Sequence, residues 1–200
     1  MAWLLAFAPV AALLTITPGA GTAMIVRSAV RGGRRRALVT TIGNSIGVLA
    51  WAGFAAVGVA AVVATSAEAF TAVKLVGAVV LVILGLQSLR GRRAADAVAA
   101  PAGGAPLRDG VVTSLANPKL AVFFAALFPQ FVPDGASVLF SALLMAAMIV
   151  AFDLVWYSML AYLVARARRA FVEGPWLARA ERLTGAVLVG LGVRLALERR

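Results

Sequence analysis

The chain has 200 residues, 62% hydrophobic and only 14% charged, with no cysteine and no histidine. So apolar a composition exceeds what a water-soluble domain buries, and the missing Cys and His exclude disulfides, thiol nucleophiles, histidine bases and most transition-metal centres. The formal charge of +11 is carried by arginines between apolar runs, which points to membrane topology and anionic lipid at the basic loops and not to nucleic acid.

A spanning helix needs about 20 apolar residues, so the chain has room for six spans in one transmembrane domain, residues 1–200. Span 1 is expected over residues 3–26. Its first charge is Arg27, so it lacks the basic start of a secretory signal and is kept as a span. Thr15-Ile-Thr-Pro-Gly19 interrupts it, because Pro18 and Gly19 both disfavour continuous helix. Span 2 covers 37–64 without a charge and holds Gly43-Asn-Ser-Ile-Gly47, whose small residues fit a tight helix contact and whose Asn44 is a candidate cavity residue.

Span 3 covers 69–89, with Lys74 placed to snorkel and a Gly77/Gly85 stripe. Residues 91–109 contain Ala-Ala-Pro-Ala-Gly-Gly-Ala-Pro and lack periodicity, which predicts the longest loop and a boundary between halves 1–90 and 110–200. Span 4 covers 110–132 and carries Asn117-Pro118-Lys119 inside an apolar run. Proline removes a backbone donor, and a lysine in hydrocarbon costs roughly 2.5–3.5 kcal/mol, so something must hold both. Span 5 covers 137–165 with Asp153 near its centre, where a carboxyl needs a partner, a proton or water. The last apolar run, Leu183–Val193, is short. A sixth span over Trp176–Leu197 requires Arg194 to snorkel, and five spans plus an interfacial helix is the alternative.

Fourteen of the nineteen basic residues fall in the stretches 27–36, 90–108 and 166–182, and none between spans 2 and 3 or 4 and 5. That bias places the three basic loops in the cytoplasm and the N-terminus outside. Three spans per half then enter from opposite sides. Interruptions at Pro18 and Pro118, at corresponding places in the halves, predict an all-α polytopic membrane protein of about six helices: two inverted three-helix repeats with broken helices 1 and 4 around a midplane site.

Unwound backbone exposes amides and carbonyls that can hold a zwitterion. The residues expected to line the substrate site are Thr15, Thr17, Pro18, Gly19, Asn44, Asn117, Pro118 and Lys119, with Asp153 as the proton carrier or the partner of Lys119. One acidic candidate beside a lysine favours a neutral or anionic amino acid over a cationic one. Gly43-Asn-Ser-Ile-Gly47 also fits the serine-hydrolase pattern G-x-S-x-G, but that motif needs a strand-turn-helix setting and a histidine, so no enzyme activity, cofactor or metal site is expected.

Thr17-Pro-Gly19, Arg31-Gly-Gly-Arg-Arg-Arg36, Lys74-Leu-Val-Gly77 with Leu84-Gly85, Gly110 through Asn117-Pro-Lys119 to Phe128-Pro-Gln-Phe131, and Leu183-Thr-Gly185 with Gly190-Leu-Gly192 together resemble the LysE/RhtB family of amino-acid exporters, nearly end to end. The resemblance implies a six-span carrier of the bacterial inner membrane that exports small amino acids or derivatives, coupled to the proton gradient. The chain departs from the family pattern at Ala20-Gly21, where a second proline and an Asn or Asp are usual. Two other classes stay open: an inorganic-ion carrier or channel, and a non-transporting membrane subunit. A homodimer is compatible with either half of this reading.

Overall fold

The computed structural model describes residues 2–65, 67–89, 104–133, 135–166 and 176–197, and every regular element among them is helical. The first helix, α1 (Ala2–Ile16), stops at the Thr17-Pro18-Gly19 break. The next, α2 (Ala20–Thr65), is one run interrupted at Gly32 (φ −131°, ψ 16°) and Gly33 (φ 66°, ψ −169°). The Gly33 geometry is open to glycine and almost nothing else. The apolar stretch Ala20–Gly58 has 39 residues, which as a straight helix would measure about 58 Å. That is about twice the hydrocarbon thickness, so Gly32-Gly33 divides α2 into limbs 20–31 and 34–65.

Helix α3 (Ala67–Leu89) follows, then α4 (Pro106–Leu115) and the short α5 (Pro118–Val122). The helix expected from 110 begins at Pro106 instead, so the last residues of the expected 91–109 loop are helical. Proline has no N–H to lose at a first helical position, which makes it a helix starter here. After α5 the chain passes through a π-helical turn, Phe123–Leu127, and a 3₁₀ turn, Phe128–Phe131. Pro129 has no N–H to donate to the preceding turn, and the Gln130 side chain donates to the Ala126 carbonyl (3.1 Å). Helices α6 (Val138–Arg166) and α7 (Trp176–Leu197) complete the order.

The 29-residue α6 is long and apolar enough to cross a membrane, and α4 with the segment Pro118–Phe131 makes a third apolar unit bent by 46° at the break. The apolar parts of α1, α3 and α7 are shorter (Trp3–Ile16, Leu75–Gln87 and Gly185–Leu197). Large apolar side chains such as Leu5, Val57, Phe140 and Val155 face outward, as they do toward lipid and not toward water. The side chain of Lys74 and the basic stretches 90–103 and 167–175 lie outside the described residues.

Inside, α2 packs along both α4 and α6, and α3 pairs with α7. The main core is aromatic where α1 meets the segment after the second break: Phe7 lies 5.9 Å from Phe123 and 5.3 Å from Phe131, ring centre to ring centre, and Phe124 adjoins Phe123 and Phe128. A second cluster joins Ile25, Val26, Ala29 and Ala37 of α2 to Tyr157, Leu160, Ala161 and Val164 of α6. Glycines set the close approaches. A Cβ on Gly43 would stand 2.1 Å from the Leu107 carbonyl oxygen, and one on Gly110 2.2 Å from that of Thr40, so α2 and α4 meet backbone to backbone.

Candidate functional site

A proline leaves the carbonyl four residues before it without its helical donor. Pro18 does this to Leu14, and Pro118 does it to Ser114. The two orphans find different partners. The Lys119 ammonium donates to the Leu14 carbonyl (2.7 Å) and to the Thr17 carbonyl (2.9 Å). The Trp51 indole N–H donates to the Ser114 carbonyl (3.1 Å), which the Asn117 N–H also reaches (3.1 Å). Asn117 then caps α5, its Oδ1 accepting the Lys119 backbone N–H at 3.1 Å. The Asn-Pro-Lys triplet is thus a helix cap, a helix starter and a cation sent across to the other break.

Asp153 of α6 is 3% exposed and spends its two oxygens separately. Oδ1 accepts from the Thr15 hydroxyl at 2.7 Å, and Oδ2 from the Asn44 amide at 3.0 Å. Its expected pairing with Lys119 does not form: the ammonium is committed to backbone carbonyls and the carboxyl to two neutral donors, so each is satisfied apart from the other. Both nevertheless line one small cavity with Leu14, Gly21, Asn44, Asn117, Leu120, Ile149 and Tyr157. Its volume of about 10 Å³ is marginal for one water molecule and far too small for an amino acid. A lysine and an aspartate stand on its walls.

Of the other residues singled out from the sequence, Gly19 lies beside the lysine, a Cβ there being 3.7 Å from Nζ. The Thr17 hydroxyl turns back onto the Leu13 carbonyl of its own helix, so Thr17 offers its carbonyl in place of its side chain. Gly43 and Gly47 serve the helix contact, Gly47 against Ser114, while Asn44 between them faces the cavity. The hydrolase-like pattern lies within continuous helix, with Ser45 donating to the Thr41 carbonyl. Among the described residues no group of three or more His, Cys, Asp or Glu side chains could hold a metal ion.

Three participants escaped the sequence reading. Tyr157 lies one helical turn beyond Asp153 on the same face of α6, a spacing that could have found it. Gly21 forms the wall opposite: a Cβ there would be 3.1 Å from the Tyr157 hydroxyl and 3.3 Å from Asn44 Oδ1. Trp51 gave no signal, because its role depends on α4 crossing α2 at Ser114.

Comparison with known proteins bears on this geometry. The profile of the LysE type translocator family matches residues 12–199. A threonine efflux protein of Escherichia coli strain K12 is 30% identical over 194 residues, covering 92% of each chain. A homoserine/homoserine lactone efflux protein of Salmonella typhimurium is 28% identical over 198 residues, covering 97% of this chain and 96% of its own. An uncharacterized membrane protein of Bacillus subtilis is 26% identical over 206 residues, covering 97% and 98%. No solved structure matches. With the profile running across both breaks and the cavity between them, the chain belongs to the LysE-type translocator family, polytopic membrane transporters and not enzymes.

Proposed function

We propose that the protein is a secondary transporter that exports a small amino acid or amino-acid derivative from the cytoplasm across the bacterial inner membrane, a neutral one in preference to a cationic one, by proton antiport. The observation that carries this reading is the cavity at the first break, where Lys119 and Asp153 face the same space without pairing with each other. A zwitterion brings a carboxylate for the Lys119 ammonium and an ammonium for the acceptors beside it. A cationic side chain would add a second positive charge beside Lys119 with one carboxyl to offset it, so neutral substrates are favoured. The efflux named for the Escherichia coli and Salmonella relatives supports the direction.

In this reading Asn117, Pro118, Pro18 and Gly19 shape the two breaks, Thr15 and Asn44 hold Asp153, and Asp153 exchanges the coupling proton. The basic stretches 27–36, 90–108 and 166–182 face the cytoplasm and its anionic lipids. The chain is one transport domain of two inverted halves. Support for the repeat comes from the numbering of the special positions: Leu14 and Ser114, Pro18 and Pro118, and the facing pair Gly85 and Gly185 all share one offset. Residues that meet their own equivalents lie on a two-fold axis. Because the closed cavity is too small for an amino acid, loading requires the limbs at the break to part. Proteoliposomes with an imposed pH gradient test the proposal: a neutral amino acid should be driven out against its gradient, and flux of inorganic ions alone would support the carrier of another class.

A further inference from the structure

We infer that the Leu14 and Thr17 carbonyls form a binding subsite for a primary ammonium group, and that Lys119 is its resident occupant in the closed state, displaced when a substrate brings an ammonium of its own. This deepens the transport reading and rests on it. The pair exists because of the break. Pro18 removes the donor from Leu14, and the Thr17 carbonyl lies where the chain leaves helical geometry, so two acceptors converge on one point. An ammonium has three donors and no acceptor. Lys119 uses two of them here, at 2.7 and 2.9 Å, and stands against the cavity.

The second break supplies the contrast. Its orphan carbonyl, Ser114, is held by the Trp51 indole, a rigid group on α2 that cannot exchange for a diffusible cation. The position equivalent to Lys119 at the first break is Gly19, which offers no side chain there and on which a Cβ would stand 3.7 Å from the ammonium nitrogen. One break is therefore fixed and the other exchangeable. When a substrate ammonium takes the two carbonyls, the Lys119 side chain is released into a cavity whose carboxyl lining is Asp153 alone. Loading the site thus moves a positive charge onto the residue held by Thr15 and Asn44, a direct route from substrate binding to loss of a proton at Asp153.

Two measurements test this without relying on transport. In detergent, Lys119→Met and Lys119→Ala empty the subsite, and ethylammonium should bind and raise their melting temperatures, with an affinity about tenfold above that for the unaltered protein. Sodium at equal concentration should give no such rise. Equal effects of ethylammonium on variant and unaltered protein, or a response to sodium alone, would overturn the inference. If neither variant folds, Pro18→Ala decides: it returns an N–H to Leu14, weakens the hold on Lys119 and should speed its amidination by methyl acetimidate about fivefold. Equal rates contradict the subsite. Export that fails while both results hold would sink the transport proposal and leave the subsite standing.

Discussion

Gly85 and Gly185 lie face to face, each so close that a Cβ on Gly85 would stand 2.7 Å from the Gly185 carbonyl oxygen and a Cβ on Gly185 2.5 Å from that of Gly85. The contact joins α3 to α7 through backbone on both sides, so neither helix can yield by turning a flexible side chain. Gly185→Ala should therefore destabilise the protein by about 1–3 kcal/mol. Gly190→Ala, on the same helix with nothing within 4 Å of its Cβ position, should be neutral or stabilise by up to about 1 kcal/mol. Thermal unfolding of the two variants in one detergent checks the difference.

Asp153→Asn keeps the shape of the side chain but removes its charge. Thr15 can still donate to the new carbonyl, while the Asn44 amide, now facing a second amide, loses its acceptor or must flip. Folding should survive and pH-gradient-driven efflux should fall by at least about tenfold, a loss of about 1.4 kcal/mol in the coupled step. Proteoliposome flux at matched protein density is the measurement, and intact coupled efflux would remove Asp153 from the coupling role.

Asn117→Ala leaves the Lys119 backbone N–H without its cap at a buried helix start. The cost is about 1 kcal/mol. Because the same turn aims the lysine side chain at Leu14 and Thr17, flux should fall by more than the stability loss explains. Parallel melting and efflux curves separate the two effects, since a purely structural cap would lower them together.

Much of this was legible in the sequence, for physical reasons that can be named. A proline within an apolar run marks an orphan carbonyl, so the breaks at Pro18 and Pro118 followed from composition alone, as did the need for something to hold Lys119. What holds it did not follow. The sequence offered Asp153 as the countercharge, because a carboxyl is the obvious partner, yet two backbone carbonyls took the ammonium although Asp153 lines the same cavity. Pro18 marks the Leu14 carbonyl as an orphan, but which donor reaches it depends on how the two breaks pack together. The Thr17 side chain misled for a related reason: a threonine hydroxyl near a helix end readily bonds back onto its own helix. The glycines of α2 were legible as a contact and Asn44 as a cavity residue, and the structure uses both, because neighbouring residues on a helix face different directions. The early start of α4 at Pro106 was missed because Gly104-Ala105-Pro106 reads as loop until the proline is recognised as a first helical residue.

Gly21→Ala tests the cavity wall. The added methyl would sit 3.1 Å from the Tyr157 hydroxyl and 3.3 Å from Asn44 Oδ1, closer than ordinary contact, so one of them must shift. The variant should fold and should export its largest substrates worst, raising KM for them several-fold while sparing the smallest. A uniform loss across substrate sizes would move Gly21 out of the wall and into the packing of α2.

Efflux itself tests the central claim most directly. Cells or proteoliposomes carrying the protein are preloaded with a panel of radiolabelled neutral amino acids, their derivatives, cationic amino acids and inorganic ions. The account predicts faster release of at least one small neutral amino acid or derivative than from controls, dependent on the pH gradient and abolished by Lys119→Ala. Release of no amino acid or derivative in the panel, or release unchanged by Lys119→Ala, would contradict it.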